Sequence, residues 1–155
     1  MAKRKIKHKP KPEVDRRVYE DDWGTQYWEV DGRYHRIDGP AIIRLDGSEE
    51  WFFKGQYHRI GGPAIITEEG EMSWYLFGEQ HRLDGPAEIC PSGTELWWRK
   101  DLLHRSNGPA VIKANGQIEW WANGVRYYDK KSYQRNTGNS DKAMMMLLLK
   151  YGDIC

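Results

Sequence analysis

The chain has 155 residues, a formal net charge of +1 and 30% charged side chains. That length suits one domain with a core of its own, and the near-neutral balance sets the chain as a whole apart from strongly basic proteins that coat polyanions. Its two cysteines, Cys90 and Cys155, are too few and too far apart for a disulfide framework or a cysteine metal site, and such sparse use fits a reducing compartment.

Residues 1–17 hold eight basic side chains against two acidic ones, with prolines at Pro10 and Pro12. They read as a solvated, flexible arm on a mildly acidic body. Lys3, Arg4, Lys5, Lys7, Lys9 and Lys11 are the candidates for contacts to nucleic-acid phosphates. Lacking aromatics, the arm alone would bind in a salt-sensitive, sequence-blind way. Its charge is not followed by an apolar stretch, so no secretory signal is expected.

Residues 18–129 are periodic. His35, His58, His81 and His104 recur every 23 residues. So do the Gly-Pro-Ala triplets that begin at Gly39, Gly62, Gly85 and Gly108, the isoleucines 43, 66, 89 and 112, and the tryptophans 28, 51, 74, 97 and 120. A fixed period of this length marks stacked supersecondary units. Each unit carries two turn signals. One is x-Gly at Gly47, Gly70, Gly93 and Gly116; the other is Lys54-Gly55, Phe77-Gly78 and Asn123-Gly124, with Lys100-Asp101 breaking the pattern. Proline donates no ladder hydrogen bond, so Gly-Pro belongs at a strand start or a kink. The fold class expected is all-β: an antiparallel meander of 23-residue β-hairpin repeats, the longer strand of each bent at Gly-Pro, with a short C-terminal helical cap.

Register follows from the turns. A two-residue second turn sets Trp51 opposite His58, Trp74 opposite His81 and Trp97 opposite His104. A three-residue first turn with a glycine bulge brings Ala64 and Ile66 to the face of Trp74. Strand parity then assigns Arg36, Arg59, Arg82 and Arg105 to the other face, beside Phe52, Tyr75, Trp98 and Trp121. Arginine and large aromatics dominate interface hot spots, so Arg59, Arg82, Arg105, Phe52, Tyr75, Trp98 and Trp121 form the candidate binding face. The same ladder could stack the bases of a single strand.

Residues 130–155 change period. Lys130 to Arg135 suggests a short helix. Ser140 as N-cap, an apolar stripe at Ala143, Met144, Leu147, Leu148 and Tyr151, and Gly152 at the C-terminal cap suggest a second one packed on the sheet. The run Ala143 to Leu149 is too short to span a bilayer. A soluble, intracellular protein without membrane partners is expected.

Nothing in the sequence nominates a catalytic centre. Histidines one repeat apart lie about 10 Å from each other along a sheet and cannot share one metal. Only Asp38 and Asp84 put a carboxylate three residues after a histidine, and no hydrolase, zincin or phosphate-loop motif occurs. No enzyme activity, metal or cofactor is expected.

The unit H-R-x-x-G-P-A-x-I, with its following glycine and tryptophan, resembles the MORN-like repeats of small bacteriophage proteins over about residues 18–152. The stretches Lys131-Ser132-Tyr133 and Lys150-Tyr151-Gly152 resemble the tails of such proteins. The unit lacks the Tyr-x-Gly opening of MORN repeats proper and carries Gly-Pro-Ala where they have a second glycine pair. The resemblance implies an antiparallel repeat sheet used for binding, with no catalytic residue to carry over. The functional expectation is a non-enzymatic phage accessory protein in the host cytoplasm. It would bind and inhibit or redirect a host or viral protein, for instance one of host defence. Two alternatives are nucleic-acid binding through the arm and the arginine–aromatic ladder, and sequestration of a nucleotide or small molecule.

Overall fold

The two turns of each repeat decide where its strands can run. In the computed structural model, which describes residues 15–137, both central residues of the second turn have positive φ: 53° and 81° at Lys54 and Gly55, 50° and 85° at Phe77 and Gly78. That is the left-handed pair a two-residue hairpin turn requires. It closes the register Phe52↔Tyr57 and Phe53↔Gln56, and the His58 N–H donates to the Trp51 carbonyl at 3.0 Å. The expected Trp51–His58 pairing is present. At the first turn the Arg44 N–H donates to Ser48 O at 2.9 Å and the Gly47 N–H to Arg44 O at 3.0 Å, so the loop has three residues and a glycine bulge.

These turns build one long antiparallel sheet whose strand order follows the chain, from Arg16–Glu20 and Gln26–Val30 at one end to Ile118–Ala122 and Val125–Tyr127 at the other. Between them each repeat contributes two short strands, such as Ile42–Ile43 with Glu49–Glu50 and Ile65–Ile66 with Met72–Ser73. The strand Arg16–Glu20 takes up the last two residues expected to belong to the arm.

The expected bent strand is in fact two strands in different sheets. Gln56–Tyr57 closes a separate two-stranded hairpin with Phe52–Phe53, and Ile65–Ile66 opens in the long sheet only after His58–Ala64 has crossed over without strand pairing. The same happens at Tyr75–Leu76 with Glu79–Gln80, and at Trp98–Arg99 with Leu102–Leu103. Proline explains part of this, because it cannot donate to a ladder. The alanine after it joins the two systems: the Ala64 N–H donates to Ser73 O and its carbonyl accepts the Trp51 N–H, at 2.8 and 2.7 Å. Ala41, Ala64, Ala87 and Ala110 are completely buried there, which leaves no room for a larger side chain.

An aromatic ladder runs along the first half of the structure. Ring centroids of Tyr19 and Tyr27, Tyr34 and Phe52, Phe52 and Tyr57, and Tyr57 and Tyr75 lie 5.0, 5.4, 4.3 and 5.2 Å apart. The described chain ends in a helix, Lys130–Thr137, opened by Asp129, whose carboxylate accepts the Ser132 N–H at 2.7 Å. Its buried Tyr133 packs on Trp120 at 5.2 Å and donates its hydroxyl proton to the Arg105 carbonyl. The second expected helix, from Ser140 to Gly152, and the lysine-rich arm lie outside the described residues.

Candidate functional site

The repeated arginines are the most highly organised polar groups in the molecule. Each guanidinium lies over the tryptophan eight residues before it: Arg36 on Trp28 at 4.1 Å, Arg59 on Trp51 at 3.8 Å, Arg82 on Trp74 at 4.2 Å and Arg105 on Trp97 at 3.9 Å. Each also donates to the carbonyl of the proline four residues on, at 3.1–3.2 Å. Asp38 and Asp84 accept from Arg36 and Arg82, and Asn107 takes that place for Arg105. These arginines hold both carboxyls below the usual carboxylate range. The glycine before each proline makes the stack possible. A Cβ at Gly39 would sit 2.6 Å from the Arg36 guanidinium carbon, and one at Gly85 would sit 2.8 Å from that of Arg82. The motif W…H-R-x-x-G-P is therefore a flat guanidinium held between an indole ring and bare backbone.

That arrangement corrects the expected pairing of Arg59, Arg82 and Arg105 with Phe52, Tyr75, Trp98 and Trp121. Strand parity assumes a continuous strand, and the chain changes sheet at Trp51, Trp74 and Trp97 and curls at each Gly-Pro. Phe52, 8% exposed, belongs to the core with Tyr27, Trp28, Tyr34 and Tyr57. Tyr75, Trp98 and Trp121 are half-buried. The indoles Trp98 and Trp121 donate to Glu88 and Glu119 at 2.9 and 3.0 Å, and Tyr57 donates its hydroxyl proton to Glu50 at 2.7 Å. Hydrogen bonds from Lys113 and Trp121 keep the Glu119 carboxyl below its ordinary range.

The histidines are structural in the same periodic way. Nδ1 of His35, His58 and His104 accepts the backbone N–H of Lys54, Phe77 and Asn123, at 3.0, 3.2 and 3.1 Å. An accepting Nδ1 puts the ring proton on Nε2 and needs a neutral imidazole. Burial favours the neutral form and lowers the His58 pKa. Among the described residues no cluster of three or more histidine, cysteine or acidic side chains could hold a metal, and no helix is long and apolar enough to cross a membrane. Neither a family model nor a curated protein matches the chain.

One periodic set of exposed apolar side chains lies at the position after each repeated arginine, outside the face expected from the sequence. Ile37, Ile60 and Leu83 are 81%, 84% and 67% exposed, one per repeat, and Ser106 stands at the fourth such position. The signal was present in the sequence as an aliphatic residue following His-Arg in three of four units. Between these side chains run grooves floored by the arginine–tryptophan stacks. One, of about 420 Å³, lies between Arg36 and Ile60; another, of about 740 Å³, between Arg82 and Asn107.

Proposed function

We propose that this protein acts by gripping another protein, without catalysis, as a small accessory factor of the phage type that blocks or redirects a host or viral target inside the host cell. The observation that carries the reading is the exposed row Ile37, Ile60 and Leu83. Single exposed aliphatics are ordinary, but a register of them on a rigid, repeated support is the pattern of a contact surface. The support is braced because each repeated Arg lies on its Trp, and His35, His58 and His104 each accept a turn N–H. Such a surface binds with little ordering cost.

The nucleic-acid alternative called for arginines and aromatics open together to bases. The four arginines instead lie on other tryptophans, so that reading now depends on the lysine-rich arm.

The test is a variant with Ile37, Ile60 and Leu83 all changed to serine, the residue that the fourth unit carries naturally. Its thermal unfolding should match the parent. In quantitative mass spectrometry of proteins captured from a host lysate, a specific partner should bind the parent and disappear from the variant. Identical captured sets for the two proteins would reject the reading.

A further inference from the structure

The two grooves are the same place in the fold, two repeats apart, and differ in what lines them. The groove between Arg36 and Ile60 contains Phe53; at the equivalent position the groove between Arg82 and Asn107 contains Arg99. Ile60 in the first is replaced by Ser106 in the second. Two arginines line the first groove, and the second adds a third together with a serine in place of two apolar side chains, in a larger space. Three guanidinium groups, Arg82, Arg99 and Arg105, face it with a single carboxylate, Asp84, already paired with Arg82 at 2.8 Å. Arg82 and Arg105 are committed to their tryptophans and proline carbonyls. The half-buried Arg99 has no carboxylate, carbonyl or ring partner of its own among the described residues. This concentration of positive charge occurs on a body that is acidic overall, with 20 acidic and 16 basic side chains in residues 15–137.

We propose that this groove is the docking site for an acidic peptide segment of the bound protein, a carboxylate seated on Arg99 with a neighbouring apolar side chain against Leu83. The proposal rests on the protein-binding reading above and adds the chemistry of the partner. Planar guanidinium donors match carboxylates two hydrogen bonds at a time. Charge complementarity of this kind sets partner choice and encounter rate. Leu83, 67% exposed at the rim, favours a ligand that places an apolar residue beside its acid.

The experiment measures fluorescence anisotropy of a short labelled peptide alternating glutamate and leucine, titrated with the full-length protein. Its glutamine counterpart and a single-stranded oligonucleotide serve as comparisons. Arg99→Phe and Ser106→Ile restore the residues of the first groove, and Arg99→Gln guards against a folding defect peculiar to phenylalanine. The glutamate peptide should bind saturably and weaken with salt, and each Arg99 variant should lower its affinity about tenfold. The glutamine peptide should bind far more weakly.

Failure of the glutamate peptide to bind, equal binding of the glutamine peptide, or unchanged affinity in both Arg99 variants would overturn the site. So would an oligonucleotide that binds more tightly and depends on Arg99. The Ile37→Ser, Ile60→Ser double variant keeps the two claims apart. It should retain the peptide while losing the lysate partner, so failure of the groove leaves the exposed row standing.

Discussion

The groove that contains Phe53 and the groove that contains Arg99 share a frame and differ in what occupies it. In the first, the Phe53 ring lies 4.9 Å from His35, 5.7 Å from His58 and 6.2 Å from Phe77, a small apolar cluster that ties neighbouring hairpins together. In the second, Arg99 has left that role. The hairpin turn beside it has changed too. Asp101 replaces glycine, with φ of 59°, and its carboxylate accepts the Gln80 N–H at 2.7 Å. The bond from a turn N–H to a histidine Nδ1, formed at His35, His58 and His104, has no counterpart at His81 among the described residues. The arginine–tryptophan stack recurs in both grooves, and what differs is the residue at the Phe53 position, which is Leu76, Arg99 and Ala122 in the later units.

Several changes would test that division. The largest effect belongs to the shared frame: Ala64→Leu and Ala87→Leu should each destabilise by about 2–3 kcal/mol through overpacking, equally on the two sides, in urea unfolding. A neutral result at either would mean that the two halves do not share one frame. Next, Phe53→Ala should cost about 2 kcal/mol, and Arg99→Ala should stay within about 0.5 kcal/mol, since only the first removes packed apolar surface. Equal costs would erase the contrast.

The histidines should separate in the same direction. His58→Ala loses an acceptor for the Phe77 N–H and a ring stacked on Phe77 at 4.1 Å, so about 1–2 kcal/mol is expected. His81→Ala should cost less than about 1 kcal/mol, because it lacks the turn N–H bond. Acid extends this comparison. Burial lowers the pKa of His58, and that of His81 is lowered by burial and then by Arg99 and Lys100. A depressed folded value means that the folded state prefers the neutral ring. That contribution is fully present above the unfolded value of about 6.5 and is lost as pH falls through the lower folded values. Stability measured by chemical unfolding should therefore decline below neutrality, and His58→Ala should flatten part of that decline. A pH-independent His58 contribution would contradict the neutral-acceptor geometry. The smallest effect is expected from replacing Lys100-Asp101 with Asn-Gly, the pair of the last hairpin. Relief of the left-handed Asp101 and loss of its bond to Gln80 should nearly cancel, leaving a change within about 0.5 kcal/mol.

Much of the fold was legible because turn chemistry is local. Glycine after Asp46 announced the bulged loop, and Lys54-Gly55 announced the two-residue turn that sets Trp51 opposite His58. The arginine's partner was not legible by parity, since alternation holds only while a strand continues, and here it stops at Trp51 and again before Ile65. A second clue was available. A glycine three residues after each of Arg36, Arg59, Arg82 and Arg105, always preceding proline, has no strand purpose and makes sense once a flat group must lie against it. The grouping of Phe52 with the arginines failed for the same reason: parity put its ring outward, and it is core. Ile37, Ile60 and Leu83 carry no distinctive chemistry, and the only sequence signal of their exposed row is position, directly after each His-Arg.

One feature of the last unit bears on how long such an array can be. The position where an arginine should cover Trp120 holds Tyr128, fully exposed, and the indole is covered instead by Tyr133 from the helix. The helix thus works as a bookend that substitutes for a missing neighbour, with Tyr133 set against Trp120, Tyr127 and the Arg105 carbonyl. Array length is then an adjustable ruler: splicing in another copy of residues 86–108 would lengthen the body by one increment, add one more groove, and leave both ends chemically unchanged.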